Sequence, residues 1–512
     1  MTFEIVFVLL SLLGMMAALI ADKMRPGMVL FSVVVLFLCA GILTPKEMLE
    51  GFSNKGMITV ALLFLVSEGI RQSGTLGQVI KKLLPQGKTT VFKAQLRILP
   101  SVAFISAFLN NTPVVVIFAP IIKHWAKSVK LPATKFLIPL SYVTILGGIC
   151  TLIGTSTNLV VHGMILEAGY EGFTMFELGK VGIFIAIAGI IYLFIFSKRL
   201  LPDARPDTAV PDEEVEEGEK LHRVEAVLGA RFPGINKKLS DFNFQRHYGA
   251  EVKEIKTRNG QRYVDHLEDV VLREGDTLVV MADDTFIPTW GESSVFVLLT
   301  NGNDPDTSGK KKRWLALILL VLMIVGATVG ELPATKEMFP DIKLDMFFFV
   351  CITTIIMAWT NIFPARKYTK YISWDILITI ACAFAISKAM VNSGVADCVA
   401  GFIIGLSDDY GPHVLLAILF VITNLFTELI TNNAAAALAF PLALSISAQL
   451  GVSPTPFFVV ICMAASASFS TPIGYQTNLI VQGIGNYKFT DFVRIGLPLN
   501  LSLIHISEPT RH

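Results

Sequence analysis

Charged side chains are scarce in this sequence. Asp, Glu, Lys and Arg make up 16% of its 512 residues, and hydrophobic residues make up 53%, whereas a soluble domain usually carries about 25% charge. The formal net charge is only +1, which argues against nucleic acid as a partner. The composition therefore predicts an integral membrane protein.

Paired metal-binding cysteines and catalytic motifs are also missing. The six cysteines stand singly inside apolar runs, so we interpret them as small buried hydrophobic residues. No nucleophile–base arrangement, Walker-type phosphate motif or nucleotide-binding glycine motif appears, and we therefore expect neither an enzyme nor an organic cofactor. Residues 1–21 have no basic start and no clear cleavage site, which predicts a first membrane span rather than a removed signal.

What the sequence does have is long apolar runs. A helix of about 20 apolar residues crosses a bilayer, and runs near this length recur along the chain. We predict spans at 3–21, 28–43, 56–70, 181–196, 314–329, 344–362, 373–391 and 492–506, and two interrupted segments at 136–166 and 457–484. The pattern predicts an all-α polytopic membrane protein with about five spans in each half.

Two polar stretches lie at turns between apolar segments. Asn110-Asn111-Thr112-Pro113 separates 95–109 from 114–122, and Thr431-Asn432-Asn433-Ala434 separates 415–426 from 435–447. We interpret each flanking segment as too short to cross a bilayer separately. A polar break at membrane depth is tolerated only where it is buried in protein or lines a wet cavity. The sequence therefore predicts two re-entrant hairpins whose tips meet near the midplane.

Each half also has one segment that is predicted to be unwound. Gly154-Thr155-Ser156-Thr157-Asn158 and Tyr475-Gln476-Thr477-Asn478 interrupt the two broken helices. Unwound helices expose backbone carbonyls, which suit a dehydrated Na⁺, and they aim positive half-helix N-termini inward, which suit an anion. We therefore expect the cargo to be an anion that moves together with cations.

The two membrane halves repeat each other. Residues of the same type recur 320 or 321 positions apart, namely Ser53 and Ser373, Gly74 and Gly394, Asn111 and Asn432, and Asn158 and Asn478. Lys and Arg favour the cytoplasmic side, and neither occurs between Lys388 and Lys488. With the N-terminus outside, the first hairpin enters from inside and the second from outside. The halves 1–200 and 313–506 are therefore predicted to be inverted repeats, as in many secondary transporters.

Residues 201–312 break the apolar pattern. An acidic linker at 212–219 precedes short alternating runs at 221–228, 250–257 and 276–281, which predict a small α/β domain with its core at about 220–285. Residues 295–299 form either a remnant of a second copy or an extra strand. The tail 507–512 is atypical, so we exclude it from the fold and expect the last span to be truncated or abnormal.

The polar breaks resemble those of the divalent-anion:sodium symporter (DASS) family, which carries Ser-Asn-Thr at each hairpin tip. Here the tips read Asn110-Asn111-Thr112 and Thr431-Asn432-Asn433, and the resemblance covers both membrane halves. The inserted domain resembles the TrkA-C (RCK-C) domain, on the stretch Leu272-Arg273-Glu274-Gly275-Asp276-Thr277-Leu278-Val279-Val280. Permeases with such an insert are often of the sulfate type.

The resemblance implies a site and a mechanism. One Na⁺ site would involve Asn110, Asn111, Gly154 and Asn158, and a second would involve Thr431, Asn432 and Asn478. The anion would contact Asn111, Thr112, Asn432, Asn433, Thr157 and Thr477. The family further implies a homodimer and an elevator motion, and we expect the protein in the plasma membrane. The distribution of Lys and Arg predicts that the inserted domain is cytoplasmic, and the TrkA-C resemblance implies a small ligand for it.

The leading prediction is a Na⁺-coupled symporter of a small divalent anion, sulfate first. The alternatives are a dicarboxylate symporter, a cation/proton antiporter or metalloid efflux permease, and a transporter-derived sensor. An antiporter would want a carboxylate in the unwound segments, and neither segment has one. Glu428, close before the second tip, is interpreted either as a proton-coupling group or as a brace for the tip.

Overall fold

The structure of the chain is a computed structural model. It describes residues 3–21, 23–85, 87–203, 222–229, 231–257, 261–283, 286, 290, 295–300, 310–339, 342–405 and 412–507. The predicted acidic linker at 212–219 and all but the first residue of the tail 507–512 lie outside these residues.

The first part of the chain is a series of helices. They are α1 (Phe3–Ala21), α2 (Pro26–Cys39), α3 (Pro45–Glu50), α4 (Lys55–Gln72), α5 (Thr75–Leu83), α6 (Val91–Ser106), α7 (Asn111–Ser128), α8 (Leu137–Gly148), α9 (Ser156–Glu167) and α10 (Gly179–Leu200). Apolar residues make up most of each long helix, which suits contact with lipid. Helical hydrogen bonds satisfy the backbone polar groups within each segment, as a bilayer requires.

A small antiparallel sheet follows. Its elements are β1 (His222–Leu228), α11 (Phe244–Tyr248), β2 (Glu251–Lys256), β3 (Arg262–Tyr263), β4 (Thr277–Ala282) and β5 (Phe296–Thr300), with strand order β3-β2-β4-β1-β5. The three predicted alternating runs form β1, β2 and β4. The residues predicted as either a remnant or an extra strand form β5, which pairs with β1.

Helices then resume to the end of the described chain. They are α12 (Lys310–Gly330), α13 (Pro333–Met338), α14 (Met346–Trp359), α15 (Tyr368–Tyr371), α16 (Trp374–Asn392), α17 (Val395–Gly405), α18 (Pro412–Leu429), α19 (Asn432–Leu450), α20 (Thr455–Ser466), α21 (Gln476–Gly485) and α22 (Phe489–Ser507). Six helical segments in the described residues are long and apolar enough to cross a membrane. The prediction of an all-α polytopic membrane protein is confirmed.

The order of helices in the second part matches that in the first. Gly74 and Gly394 show the match at one turn: both adopt the left-handed conformation, with φ of +72° and +76°, immediately before α5 and α17. Glycine takes this conformation without the steric cost that a Cβ adds. The same backbone turn therefore recurs 320 positions along the chain.

The two predicted hairpins are present as helix pairs, α6–α7 and α18–α19. The second arm of the second hairpin is longer than expected, because α19 begins at Asn432 and continues to Leu450, where Gly451 ends it with a φ of +65°. This helix is long and apolar enough to cross a membrane. The prediction that every arm is too short to cross is therefore wrong for this arm.

The sheet has its own hydrophobic core but also packs against the membrane helices. Along β1, Val224, Ala226 and Leu228 point into the sheet's core, while Val227 between them joins the core of the helices, as the two-residue period of a strand requires. Gly275 lies beside Leu479 of α21. The sheet thus contacts a helix that starts at one of the unwound segments.

An ionic contact links the sheet to α7. Lys123 Nζ of α7 lies 3.0 Å from Glu225 Oε1, and Lys256 Nζ of β2 lies 3.5 Å from the same oxygen. Burial raises the pKa of Glu225, but the ammonium groups of Lys123 and Lys256 lower it by more, so the pKa lies below its usual value. The carboxylate is therefore held in its charged form against α7.

Candidate functional site

Four helices begin at the polar breaks, and their N-termini define the site. The residues that precede these helices are Asn110, Thr155, Thr431 and Tyr475, and none of these side chains caps its own helix. Asn and Thr are common capping residues because their side-chain oxygens accept the first backbone N–H groups. Here those N–H groups are left to other partners, and a helix N-terminus with free N–H groups attracts anions.

The tip of the first hairpin contacts the unwound segment of the second half. Asn111 is fully buried, and its Nδ2 donates to the hydroxyl of Tyr475 at 2.6 Å. Thr112 Oγ1 donates to Gln476 Oε1 at 3.4 Å, and the Tyr475 hydroxyl also lies 3.1 Å from Thr155 Oγ1. Tyr475 therefore joins the first tip to both unwound segments.

The tip of the second hairpin makes the reciprocal contact. Asn433 Oδ1 accepts hydrogen bonds from Ser156 Oγ and Thr157 Oγ1 of the first half, both at 3.3 Å. Asn432 also forms a side-chain hydrogen bond with Tyr475. Each tip is thus held by the unwound segment of the opposite half, and the two contacts bring most of the predicted substrate residues together.

Within each half, the tip asparagine is oriented by an equivalent hydroxyl. Ser106 Oγ donates to Asn111 Oδ1 at 2.8 Å, and Thr427 Oγ1 donates to Asn432 Oδ1 at 2.7 Å. Because each amide oxygen accepts from a hydroxyl, each amide nitrogen is directed to the opposite side of its side chain. These hydrogen bonds fix which face of the tip presents donors.

The asparagine of each unwound segment braces the interrupted helix. Asn158 Nδ2 donates to the Gly148 and Thr151 carbonyls at 3.4 and 2.9 Å. Asn478 Nδ2 donates to the carbonyls of Ser468 and Thr471 at 2.9 and 3.2 Å. These carbonyls occupy equivalent positions in the two halves, and they belong to the stretches where the helices are interrupted.

Two oxygens of the predicted Na⁺ sites have no hydrogen-bond partner among the residues that the structure describes. They are Asn158 Oδ1 in the first site and Thr431 Oγ1 in the second, and both are buried. Gly154 packs so closely on the Gly148 carbonyl that a side chain would overlap it. Asn110 and Ser156 line a small cavity beside the first tip. Neutral amide, hydroxyl and carbonyl oxygens of this kind suit Na⁺.

Thr477 differs from the other predicted substrate residues. It is fully buried, and its hydroxyl accepts from Ser141 Oγ of α8 at 2.8 Å. Ser141 Oγ also lies 2.7 Å from Asn478 Oδ1. The structure therefore places the Thr477 hydroxyl against α8, whereas its repeat equivalent Thr157 contacts the second tip.

Sequence reasoning missed the residues that connect the halves. The sequence marks Tyr475 only as part of the second unwound segment, although its hydroxyl bonds to residues of the other three breaks. The signal that was available is its position, because its repeat equivalent is Thr155 and an aromatic phenol is unusual among Asn, Ser and Thr. Ser106 and Thr427, which orient the tips, gave no such signal.

Comparisons with known proteins place the chain in a family. The citrate transporter family profile (CitMHS) matches residues 16–444, with a further match at 338–507. An uncharacterized transporter of Synechocystis sp. is 29% identical over 92% of this chain and 90% of its own length. A putative sulfur deprivation response regulator of Chlamydomonas reinhardtii is 28% identical over 94% and 96%, respectively. A probable sodium/sulfate cotransporter 3 of the same alga is 22% identical over 95% and 86%. The predicted resemblance to a DASS-like permease is confirmed, and the chain is a multi-pass membrane protein that belongs to the citrate transporter family.

Proposed function

We propose that the protein is a Na⁺-coupled symporter of a small divalent oxyanion, with sulfate as the first candidate. The observation that carries the proposal is the set of four helix N-termini that are not capped by their own Asn, Thr or Tyr residues. Each N-terminus favours a negative charge by about 0.3–1 kcal/mol. The tip and unwound residues themselves carry no charge, so these residues do not repel an incoming anion.

The anion contacts Asn111, Thr112, Asn432, Asn433 and Thr157 in this proposal. Three of them now bond across the halves: Asn111 donates to Tyr475, Thr112 donates to Gln476, and Thr157 donates to Asn433. An oxyanion offers acceptor oxygens that replace those partners, because amide N–H and hydroxyl groups both donate to it. Thr477 acts indirectly in this proposal, because it is next to Asn478, which helps to form the second cation site.

Two Na⁺ ions neutralise the anion in this mechanism. The first is held by Asn110, Asn111, Gly154 and Asn158, and the second by Thr431, Asn432 and Asn478. The unpartnered oxygens of Asn158 and Thr431 support these assignments. The ions bind first and complete the site, so that the anion binds tightly only when Na⁺ is present.

Sulfate is preferred over the dicarboxylates for two reasons. A relative matched over 86% of its own length is named a probable sodium/sulfate cotransporter. In addition, the stretch 272–280 of the inserted domain resembles the TrkA-C domain that sulfate-type permeases often carry. The family description points instead to citrate, which makes a di- or tricarboxylate the second candidate. The structure has the same neutral donors for either anion.

The transport cycle is alternating access in a homodimer of the plasma membrane. The two hairpins and the unwound segments move together against a scaffold of outer helices, and the inserted sheet is cytoplasmic. Inverted repeats supply the two states, because exchanging the conformations of the halves converts one access state into the other. The cargo and the coupling ions cross in the same step.

Uptake of ³⁵S-sulfate into proteoliposomes with and without an inward Na⁺ gradient tests the proposal. We expect Na⁺-dependent uptake that excess citrate does not abolish, and that Asn111→Ala and Asn432→Ala each abolish. Ser11→Ala, at a hydroxyl on α1 that bonds only to its own helix, is the matched control and should leave uptake intact. Na⁺-driven citrate uptake without sulfate uptake would replace the substrate.

A second candidate is a sensor, favoured by the relative named a putative sulfur deprivation response regulator. The contacts of the sheet with α7 and α21 give it a physical route, because the sheet touches helices that begin at the site. A sensor would bind sulfate without moving it. Saturable sulfate binding to the purified protein, with no flux in proteoliposomes, would favour this candidate over the symporter.

A further inference from the structure

A half-buried acid outside the predicted ion sites stands next to the second hairpin tip. Glu428 is near the end of α18, and its Oε1 accepts from the backbone N–H of Ser470 and from Asn500 Nδ2 of α22, both at 2.8 Å. Asn500 Nδ2 also donates to Ser470 Oγ at 2.8 Å. The side chain thus joins α18, the second unwound region and the last helix.

One oxygen of each of the two side chains has no hydrogen-bond donor in the described part of the chain. Glu428 Oε2 and Asn500 Oδ1 are both buried and have no hydrogen-bond partner among the described residues. Asn500 itself is only 4% exposed. The Glu428 carboxylate and the Asn500 amide are joined by the hydrogen bond between Nδ2 and Oε1. The two oxygens without a partner are the second oxygen of that carboxylate and the oxygen of that amide, so both belong to the same pair of side chains. An unpaired buried acceptor costs about 1–3 kcal/mol.

Nothing positive balances the carboxylate. Within the described residues Glu428 makes no ion pair, whereas Glu68, another half-buried acid on a membrane helix, bonds through both oxygens to Arg71. The phenol of Tyr142 on α8 lies close to this group, since its hydroxyl donates to the carbonyl of Phe469, next to Ser470. Withdrawing a carboxylate oxygen from water without an opposite charge is costly, so the place favours a bound cation.

We propose that Glu428 Oε2 and Asn500 Oδ1 form a third cation site, which holds one monovalent cation, either Na⁺ or H⁺. The site rests on the cation coupling proposed above and adds a charged ligand to it. Na⁺ would be bound by the carboxylate and amide oxygens, and H⁺ would sit on Oε2 and donate to the amide oxygen. In both cases the cation satisfies the two unpartnered oxygens and neutralises the acid.

The site is specific to the second half. The position equivalent to Glu428 is Ala107, and both residues have the same backbone role, because their carbonyls accept from the hydroxyls of Thr151 and Thr471. The backbone needs no acid there. The carboxylate is therefore an addition to the repeated scaffold, placed three residues before Thr431 of the second Na⁺ site.

Equilibrium binding of ²²Na⁺ to the purified full chain in detergent, without any anion, tests the proposal. The variants are Glu428→Gln, which keeps shape and removes the charge, and Asn500→Ala, which removes the amide oxygen. Glu68→Gln is the matched control, because that acid already has both oxygens paired. Infrared difference spectra of the same samples report whether a protonated carboxyl group is present.

If the cation is Na⁺, Glu428→Gln binds one Na⁺ fewer per chain, Asn500→Ala weakens Na⁺ binding by about 10-fold, and Glu68→Gln changes neither. If it is H⁺, the Na⁺ count is unchanged and the carboxylic acid band of the wild type disappears in Glu428→Gln. An unchanged count with no carboxylic acid band lost overturns the proposal. Because no sulfate is used, failure of sulfate transport does not affect this result.

Discussion

The two hairpin tips share a backbone but differ in their side chains. Ser106 and Thr427 orient the tip asparagines through equivalent hydrogen bonds of 2.8 and 2.7 Å. Other equivalent positions, however, differ: Ala107 corresponds to Glu428, Thr112 to Asn433, and Thr155 to Tyr475. The scaffold of the site is therefore duplicated, while the acid and the phenol occur only in the second half. The two halves thus orient their tip asparagines in the same way, but they place different ionisable side chains beside the tips.

The largest expected effect concerns the ion pair between the first hairpin and the sheet, which the second hairpin cannot form at the equivalent position. Lys123 of α7 is paired with Glu225 of the sheet, whereas the equivalent residue of α19 is Leu444. Glu225→Ala leaves Lys123 and Lys256 without their shared partner, and we expect it to lower the free energy of unfolding by about 3–5 kcal/mol. Chemical unfolding in detergent measures this loss.

The control is Glu251→Ala, at an exposed pair with Lys253 in the same sheet, where we expect about 0–1 kcal/mol. Equal losses would show that the first hairpin is not anchored by the sheet. The pKa of Glu225 is lowered on folding, so its contribution is present above the unfolded value of about 4.3 and is lost as pH falls through the lower folded pKa. Stability of Glu225→Ala should therefore approach that of the wild type in acid.

The next effect concerns close packing at the two unwound segments. An alanine at Gly154 would overlap the backbone carbonyl of Gly148, whereas one at Gly474 would overlap first the movable hydroxyl of Ser468. We expect both to destabilise the protein by about 1–3 kcal/mol, with Gly154→Ala the more severe. Thermal unfolding in detergent gives the order, with Gly14→Ala as control because nothing lies near its added carbon. The reverse order would contradict the comparison.

A smaller effect is expected from the phenol that distinguishes the halves. Tyr475→Phe removes the acceptor that the anion has to displace from Asn111 Nδ2. The amide is then unsatisfied only in the empty site, which costs about 1–3 kcal/mol, so the KM for sulfate should fall by roughly 10-fold. Thr155→Val at the equivalent position removes only a 3.1 Å contact with the same hydroxyl. Initial uptake rates over a range of sulfate concentrations compare the two, and similar KM values would show that the phenol has no special role.

The smallest effects should be equal in the two halves. Ser106→Ala and Thr427→Val each remove one hydroxyl that orients a tip asparagine, and each should cost about 1 kcal/mol. Measured unfolding free energies that agree with each other would support a duplicated scaffold. A difference well above the experimental error would show that one tip is positioned by other contacts.

Much of the fold followed from the sequence because the relevant patterns are local. Apolar length placed the helices, and Asn111 and Asn432 marked the turns where two helix pairs reverse. The equivalence of the halves was visible in residue spacing, since Asn158 and Asn478 differ by 320 positions. The length of α19 was underestimated because its polar first residues were assigned to the tip instead of the helix.

The contacts between the halves were beyond sequence reasoning. Asn111 and Tyr475 are 364 positions apart, and no local pattern links such residues. The same holds for Glu428 and Asn500, because Asn500 lies on the last helix in an otherwise ordinary apolar run. Spacing within one repeat shows which residues correspond, but not that each tip is held by the opposite half.

The exchanged contacts have a consequence for how the chain can be divided. Because each tip is held by the unwound segment of the other half, neither half alone contains the partners of its own tip. Two halves produced as separate chains should therefore hold their tips only after they associate with each other.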